Sequence, residues 1–178
     1  MGGLFGCTMK SDCTMDLFYG TDYHSHLGTR RGGMAVKNGK GMAKAIKNVE
    51  NSYFRTKFSA ELPNLEGNTG IGVISDNDSQ PLIIGSHLGT FGVATVAKIN
   101  NLAELASEAF RRGTHFSEAG EGRVNPTELV GMLVSQEKSF VEGIKRAQEA
   151  VQGSCTLLLL TEKGIYAARD RLGRTPLV

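Results

Sequence analysis

The chain has 178 residues, 40% hydrophobic and 21% charged, with a formal net charge of +2. That length suits one domain and is short for two. Its Lys and Arg are scattered, which excludes the concentrated field that binds nucleic acid or an anionic membrane, and the Arg30-Arg31 pair reads as a solvated turn.

The 23 glycines predict tight turns and close backbone packing. An odd cysteine count, Cys7, Cys13 and Cys155, points to a reducing compartment, so a cytoplasmic location is expected. The apolar run Leu157 to Leu160 is far short of the roughly 20 residues a membrane helix needs. Met1-Gly2 is not a myristoylation signal, because Gly6 stands where Ser or Thr is required.

In chain order, MGGLFGC predicts a short strand. Ser11-Asp12 then caps a helix carrying Met15, Leu17, Phe18 and Tyr19 inward and ending near Gly28. Asn38-Gly39 predicts a hairpin between two short strands, and Lys44 to Leu65 reads as helical in tendency, closed by Pro63-Asn64. Gly70 to Ser75, Leu82 to Gly85 and Gly92 to Lys98 read as strands, the last two joined through SHLGT.

NNLAELASEAFRRG is the clearest helix, with apolar residues at Leu102, Leu105, Ala106, Ala109 and Phe110. Asn125-Pro126-Thr127-Glu128 starts a second with Pro at its favoured position, and a third covers Phe140 to Val151. CTLLLLTEKGIYAARD is strand, a turn at Lys163-Gly164, and strand. The sum predicts an α+β sandwich of largely antiparallel sheets covered by helices.

Few residues suggest chemistry by themselves. His24 and His26 have no neighbours that complete a metal set, and His87 and His115 are isolated. Asp76 and Asp78 in SDNDS lack the Gly and Glu of a calcium loop, and GEG at 120–122 and KNGKG are turns rather than phosphate cradles. Cys13, in the first turn of a helix, has a route to a lowered pKa, but a packed thiol is the commoner fate; Cys155 reads as packing. No metal, cofactor or nucleotide site is expected.

YAARDRLGRTPLV, Tyr166 to Val178, resembles a strand-and-turn within the N-terminal glutaminase domain of amidophosphoribosyltransferases, an early enzyme family of purine biosynthesis. EGIKRAQEAVQGSCTLLLLTEKGIYAARD and DCTMDLFYGTDYHSHLGTRRGGMAV are similar to further parts of that domain in the same order, as are GIG before Val73 and Gln80-Pro81. The resemblance covers essentially the whole chain. It implies the N-terminal-nucleophile hydrolase fold, a four-layer αββα sandwich of two antiparallel sheets, with a chain expected to stop before that domain is complete at its C-terminus. It also implies a partner, a downstream phosphoribosyltransferase domain, and it is compatible with a homo-oligomer.

The family's nucleophile is a first-residue cysteine whose thiolate attacks the glutamine amide, with its own α-amino group as base. Laid on that pattern, GGLFG puts Gly2 in the nucleophile's place. Ser75 stands where an arginine holds the substrate carboxylate, followed by Asp76, and Val96 and Ala97 stand where Asn and Gly make the oxyanion hole. Leu27 replaces the arginine of the His-Arg-Gly loop. Loss of one oxyanion donor typically costs about 2.7–4 kcal/mol. A degenerate glutaminase domain with a structural or regulatory role is therefore expected. Two alternatives stay open: an amide hydrolase made active by processing that exposes Cys7, and a small-molecule-sensing module using Ser75, Asp76 and Asn77.

Overall fold

The computed structural model describes residues 2–76, 78–117, 119–120 and 123–178. The elements are β1 (Gly2–Thr8), α1 (Thr14–Tyr23), β2 (Arg31–Asn38), β3 (Gly41–Asn48), α2 (Phe54–Phe58), β4 (Thr69–Ser75), β5 (Leu82–Ser86) and β6 (Gly89–Ile99). They continue as α3 (Leu102–Arg111), β7 (Ala119–Gly120), β8 (Arg123–Val124), α4 (Pro126–Ser135), α5 (Phe140–Ala150), β9 (Gly153–Thr161) and β10 (Gly164–Ala168).

Among the described residues the long strands make two antiparallel sheets, ordered β1-β4-β2-β3 and β10-β9-β6-β5. Ala35, Ile71 and Val73 from the first sheet meet Ala94, Leu158 and Leu160 from the second, forming the core between them. On the outer face of the first sheet, Leu17 and Phe18 of α1 and Phe54 and Phe58 of α2 pack on Met34, Val36 and Ile74. Helices α3, α4 and α5 cover the outer face of the second sheet with Leu105, Leu129, Leu133 and Ala147. The result is the four-layer αββα sandwich. No helix among the described residues is long and apolar enough to cross a membrane.

Local chemistry explains most element ends. Asn125 caps α4 by accepting hydrogen bonds from the N–H of Thr127 (2.8 Å) and Glu128 (3.4 Å), with Pro126 in the first turn. Ser139 caps α5 through the Glu142 N–H at 3.2 Å. Asp12 accepts from the Thr14 hydroxyl (2.8 Å) and the Gly67 N–H (2.9 Å), so it ties the start of α1 to the approach of β4. α1 lies against β4 because Gly72 has no side chain: a Cβ there would stand 1.8 Å from the Thr21 hydroxyl.

Three expectations need correction. Lys44 to Asn48 is strand, because β3 pairs with β2 along its whole length from Asn38↔Gly41 to Arg31↔Asn48, and this ladder overrides the helical tendency of Ala and Lys. In that stretch only Phe54–Phe58 is α-helical, held by the two stacked phenyl rings 4.2 Å apart, and a 3-10 turn follows over Leu62–Asn64. The hairpin loop is Gly39-Lys40 rather than Asn38-Gly39, with Asn38 and Gly41 as its closing pair. Finally, α1 stops at Tyr23 and is followed by a 3-10 turn over Ser25–Leu27. Of its apolar set, Leu17 and Phe18 are buried while Met15 and Tyr19 face solvent.

Candidate functional site

Three strands position the candidate site. Antiparallel pairing places Gly2, at the start of β1, beside Ser75, at the end of β4, which is itself flanked by Arg31 of β2. Side chains alternate along a strand, so Gly2 and Ser75 share the face directed at the second sheet. β6 crosses opposite them, and a Cβ on Gly2 would lie 3.1 Å from the Val96 Cγ2 and 2.5 Å from the Ile74 carbonyl oxygen.

These residues line one small cavity of about 70 Å3 with Ile74, Asp76, Asp78, Gln80, Thr95, Ala97 and Pro126. Gly2, Ser75, Asp76, Val96 and Ala97, which are scattered over 96 positions of sequence, therefore converge. Asn77 lies outside the described residues, as do Glu121 and Gly122 of the GEG turn. The volume is well below the roughly 300–1,000 Å3 of sites that enclose drug-sized ligands.

The cavity wall is built on Gln80, whose side chain is 2% exposed. Its Oε1 accepts from the Thr95 N–H (2.7 Å) and the Thr127 hydroxyl (3.0 Å), and its Nε2 donates to the Thr95 carbonyl at 2.9 Å. The Thr95 and Thr127 hydroxyls are 2.7 Å apart. This buried network joins the segment before β5 to β6 and the first turn of α4, and it fixes the backbone that presents Val96 and Ala97. The sequence marks Gln80-Pro81 only as a landmark; a Gln next to a Pro-initiated strand is its single local signal.

On the rim, the Asp76 carboxylate accepts from the Thr29 N–H (2.9 Å) and hydroxyl (3.2 Å), and Ser75 Oγ accepts from the Asp78 N–H at 3.2 Å. Asp76 thus ties the end of β4 to the segment before β2, and the Ser75 hydroxyl orders the turn at Asp78. Among the described residues no group of three His, Cys, Asp or Glu side chains is arranged to hold a metal ion.

The other singled-out residues lie elsewhere. Cys7 is five residues from Gly2, so its side chain is on the opposite face of the sheet, packed under α1 with Leu17 and Phe18. Burial, with the Cys13 thiol beside it, pushes the Cys7 thiol up to about 12. Burial also raises Cys13, which is fully enclosed, and pushes Cys155 up to about 12. His24 is held below its ordinary pKa by burial and by His26, and its Nδ1 is buried without a partner. The His26 and His87 rings bond to the Tyr23 and Glu137 carbonyls. Leu27 sits in the 3-10 turn, its Cδ1 about 3.2 Å from where a Gly3 Cβ would be.

The two sheets and their helical covers are the architecture of the N-terminal-nucleophile hydrolase fold. A family model described as a glutamine amidotransferase domain matches residues 68–178, and the chain belongs to that family. It is similar to the amidophosphoribosyltransferase of Methanocaldococcus jannaschii, 27% identical over 188 residues, covering 99% of this chain and 39% of that one. The amidophosphoribosyltransferase of Methanothermobacter thermautotrophicus is 24% identical over 184 residues, covering 98% and 38%. A solved structure of glutamine phosphoribosylpyrophosphate amidotransferase from B. subtilis, complexed with ADP and GMP, superposes with a TM-score of 0.81 at 20% identity, over 96% of this chain and 37% of that one. The chain thus spans about two fifths of the length of these curated relatives.

Proposed function

We propose that this is the glutaminase-fold domain of an amidophosphoribosyltransferase-like protein, that it has lost glutamine hydrolysis, and that its role is structural or regulatory. Transfer chemistry then belongs to a phosphoribosyltransferase domain downstream, fed by free ammonia. The names of the relatives and their greater length support the placement. The observation that carries the loss is Gly2: it occupies the nucleophile's position, has no side chain, and has a carbonyl oxygen 2.5 Å from where a Cβ would be.

Two further features support the same reading. Val96, opposite Gly2, has no donor for an oxyanion, and Ser75 carries no charge for a substrate carboxylate. The buried, high-pKa Cys7 on the far face of the sheet supports no alternative nucleophile. The test is glutamate release from glutamine by the purified protein, followed by coupled oxidation of glutamate. Release at the rate of the buffer blank is expected; turnover abolished by Gly2 or Cys7 substitution would overturn the reading.

A further inference from the structure

A second, larger cleft of about 470 Å3 lies between the free edges of β3 and β5, further along β5 and α4 from the Gly2 cavity. Its size falls in the range of small-molecule sites. Ile84 of β5, Met132 of α4 and Phe116 from the loop after α3 line it from the helix-covered layer, while Ile83 of β5 and Lys44 of β3 line it from the inter-sheet side.

Lys44 is unusual in its direction. It pairs with Ala35, which is buried in the core between the sheets, and paired residues on adjacent strands project to the same face. The lysine is therefore on the inward face of the first sheet, exposed only because the second sheet ends at β5. It makes no hydrogen bond or ion pair among the described residues, whereas Lys37 and Lys47 on the same hairpin pair with Glu162 and Glu61. The one carboxylate in the lining, Glu128, accepts the Ser117 N–H at 2.6 Å, so it is committed to the chain.

We propose that this cleft binds a small amphipathic carboxylate, with Lys44 holding the carboxylate and the apolar body resting on Ile84, Phe116 and Met132. A cation with no ion pair among the described residues, lining a cleft that also offers apolar side chains, selects an anion with a hydrophobic body over a neutral molecule of the same shape. The site is separate from the Gly2 cavity and independent of glutamine chemistry.

The probe is 4-phenylbutyrate, titrated into the isotope-labelled protein beside its neutral counterpart 4-phenylbutanol and followed by NMR. Saturable shifts of the Ile83, Ile84 and Phe116 amides and the Met132 methyl group are expected. Lys44→Met should weaken the acid at least about tenfold and leave the alcohol within about twofold, the loss of one charge-assisted contact. Lys44→Gln, tested in parallel, should behave alike, and unchanged amide shifts away from the cleft verify that both variants fold. Shifts elsewhere, no saturation, or equal weakening of both probes would overturn the proposal. So would a dimer through β5, seen by sedimentation and unaffected by Lys44→Met, since a second copy would then be the occupant.

Discussion

At Gly2 the missing side chain is matched by missing space. The Ile74 carbonyl is backbone of β4, paired with β1 on one side and β2 on the other, and is not free to swing aside as a side chain would. Restoring a thiol by Gly2→Cys is therefore expected to overpack the junction of β1, β4 and β6 and destabilise the fold by about 1–3 kcal/mol. Urea unfolding measures that cost, and the variant should release no glutamate from glutamine. An unchanged midpoint together with restored hydrolysis would show that the cavity still accepts the nucleophile. Gln80 is the opposite case: a residue with no reactive role whose three buried hydrogen bonds to Thr95 and Thr127 hold the cavity wall in shape.

Among the elements, the turn after β10 depends on one carboxylate. Asp170 Oδ1 accepts from the Leu172 N–H (3.0 Å) and from the Arg174 guanidinium (3.2 Å), which also donates to the Gly153 carbonyl at the start of β9. Burial by itself would raise the Asp170 carboxyl, but the Leu172 and Arg174 backbone N–H groups and the Arg174 charge outweigh it and hold it below the usual range. A carboxyl whose folded pKa is depressed stabilises the fold above its unfolded pKa, about 3.9, and that contribution is lost as pH falls through the folded value. Thermal unfolding between pH 2 and 6 should show the midpoint falling below about pH 4, and Asp170→Asn should flatten part of that fall. A variant with the full wild-type pH dependence would mean that other carboxyls carry it, Asp12 first, since its contacts with Gly67 and Thr14 also overcome burial to lower it.

For the molecule as a whole, stability rests on the core shared by both sheets. Leu160 of β9 is fully buried there with Ile71 and Val73 of β4. Leu160→Ala is expected to cost about 2–5 kcal/mol, because the two sheets must move together to close the space it leaves. Urea unfolding followed separately by far-ultraviolet circular dichroism and tyrosine fluorescence should give coincident transitions. Separate transitions would mean that the sheets unfold independently.

Most of the fold is legible in the sequence where the signal is local. Asn125-Pro126, the periodic apolar residues of α3 and the apolar strand from Cys155 place their elements within a residue or two, because caps, helical spacing and β-branched or apolar runs act over a few positions. The stretch after Lys44 misleads for the converse reason: its strand exists only because β2 lies beside it. The identities at the site, Gly2, Ser75, Asp76, Val96 and Ala97, are likewise a property of the sequence, and their alignment with a known pattern is enough to expect lost chemistry. Their convergence on one cavity, the absence of room at Gly2, the wall made by Gln80 and the inward direction of Lys44 belong to the tertiary structure alone. Each depends on the register of strands far apart in the chain, and register is settled by which faces pack together rather than by any residue's own preference.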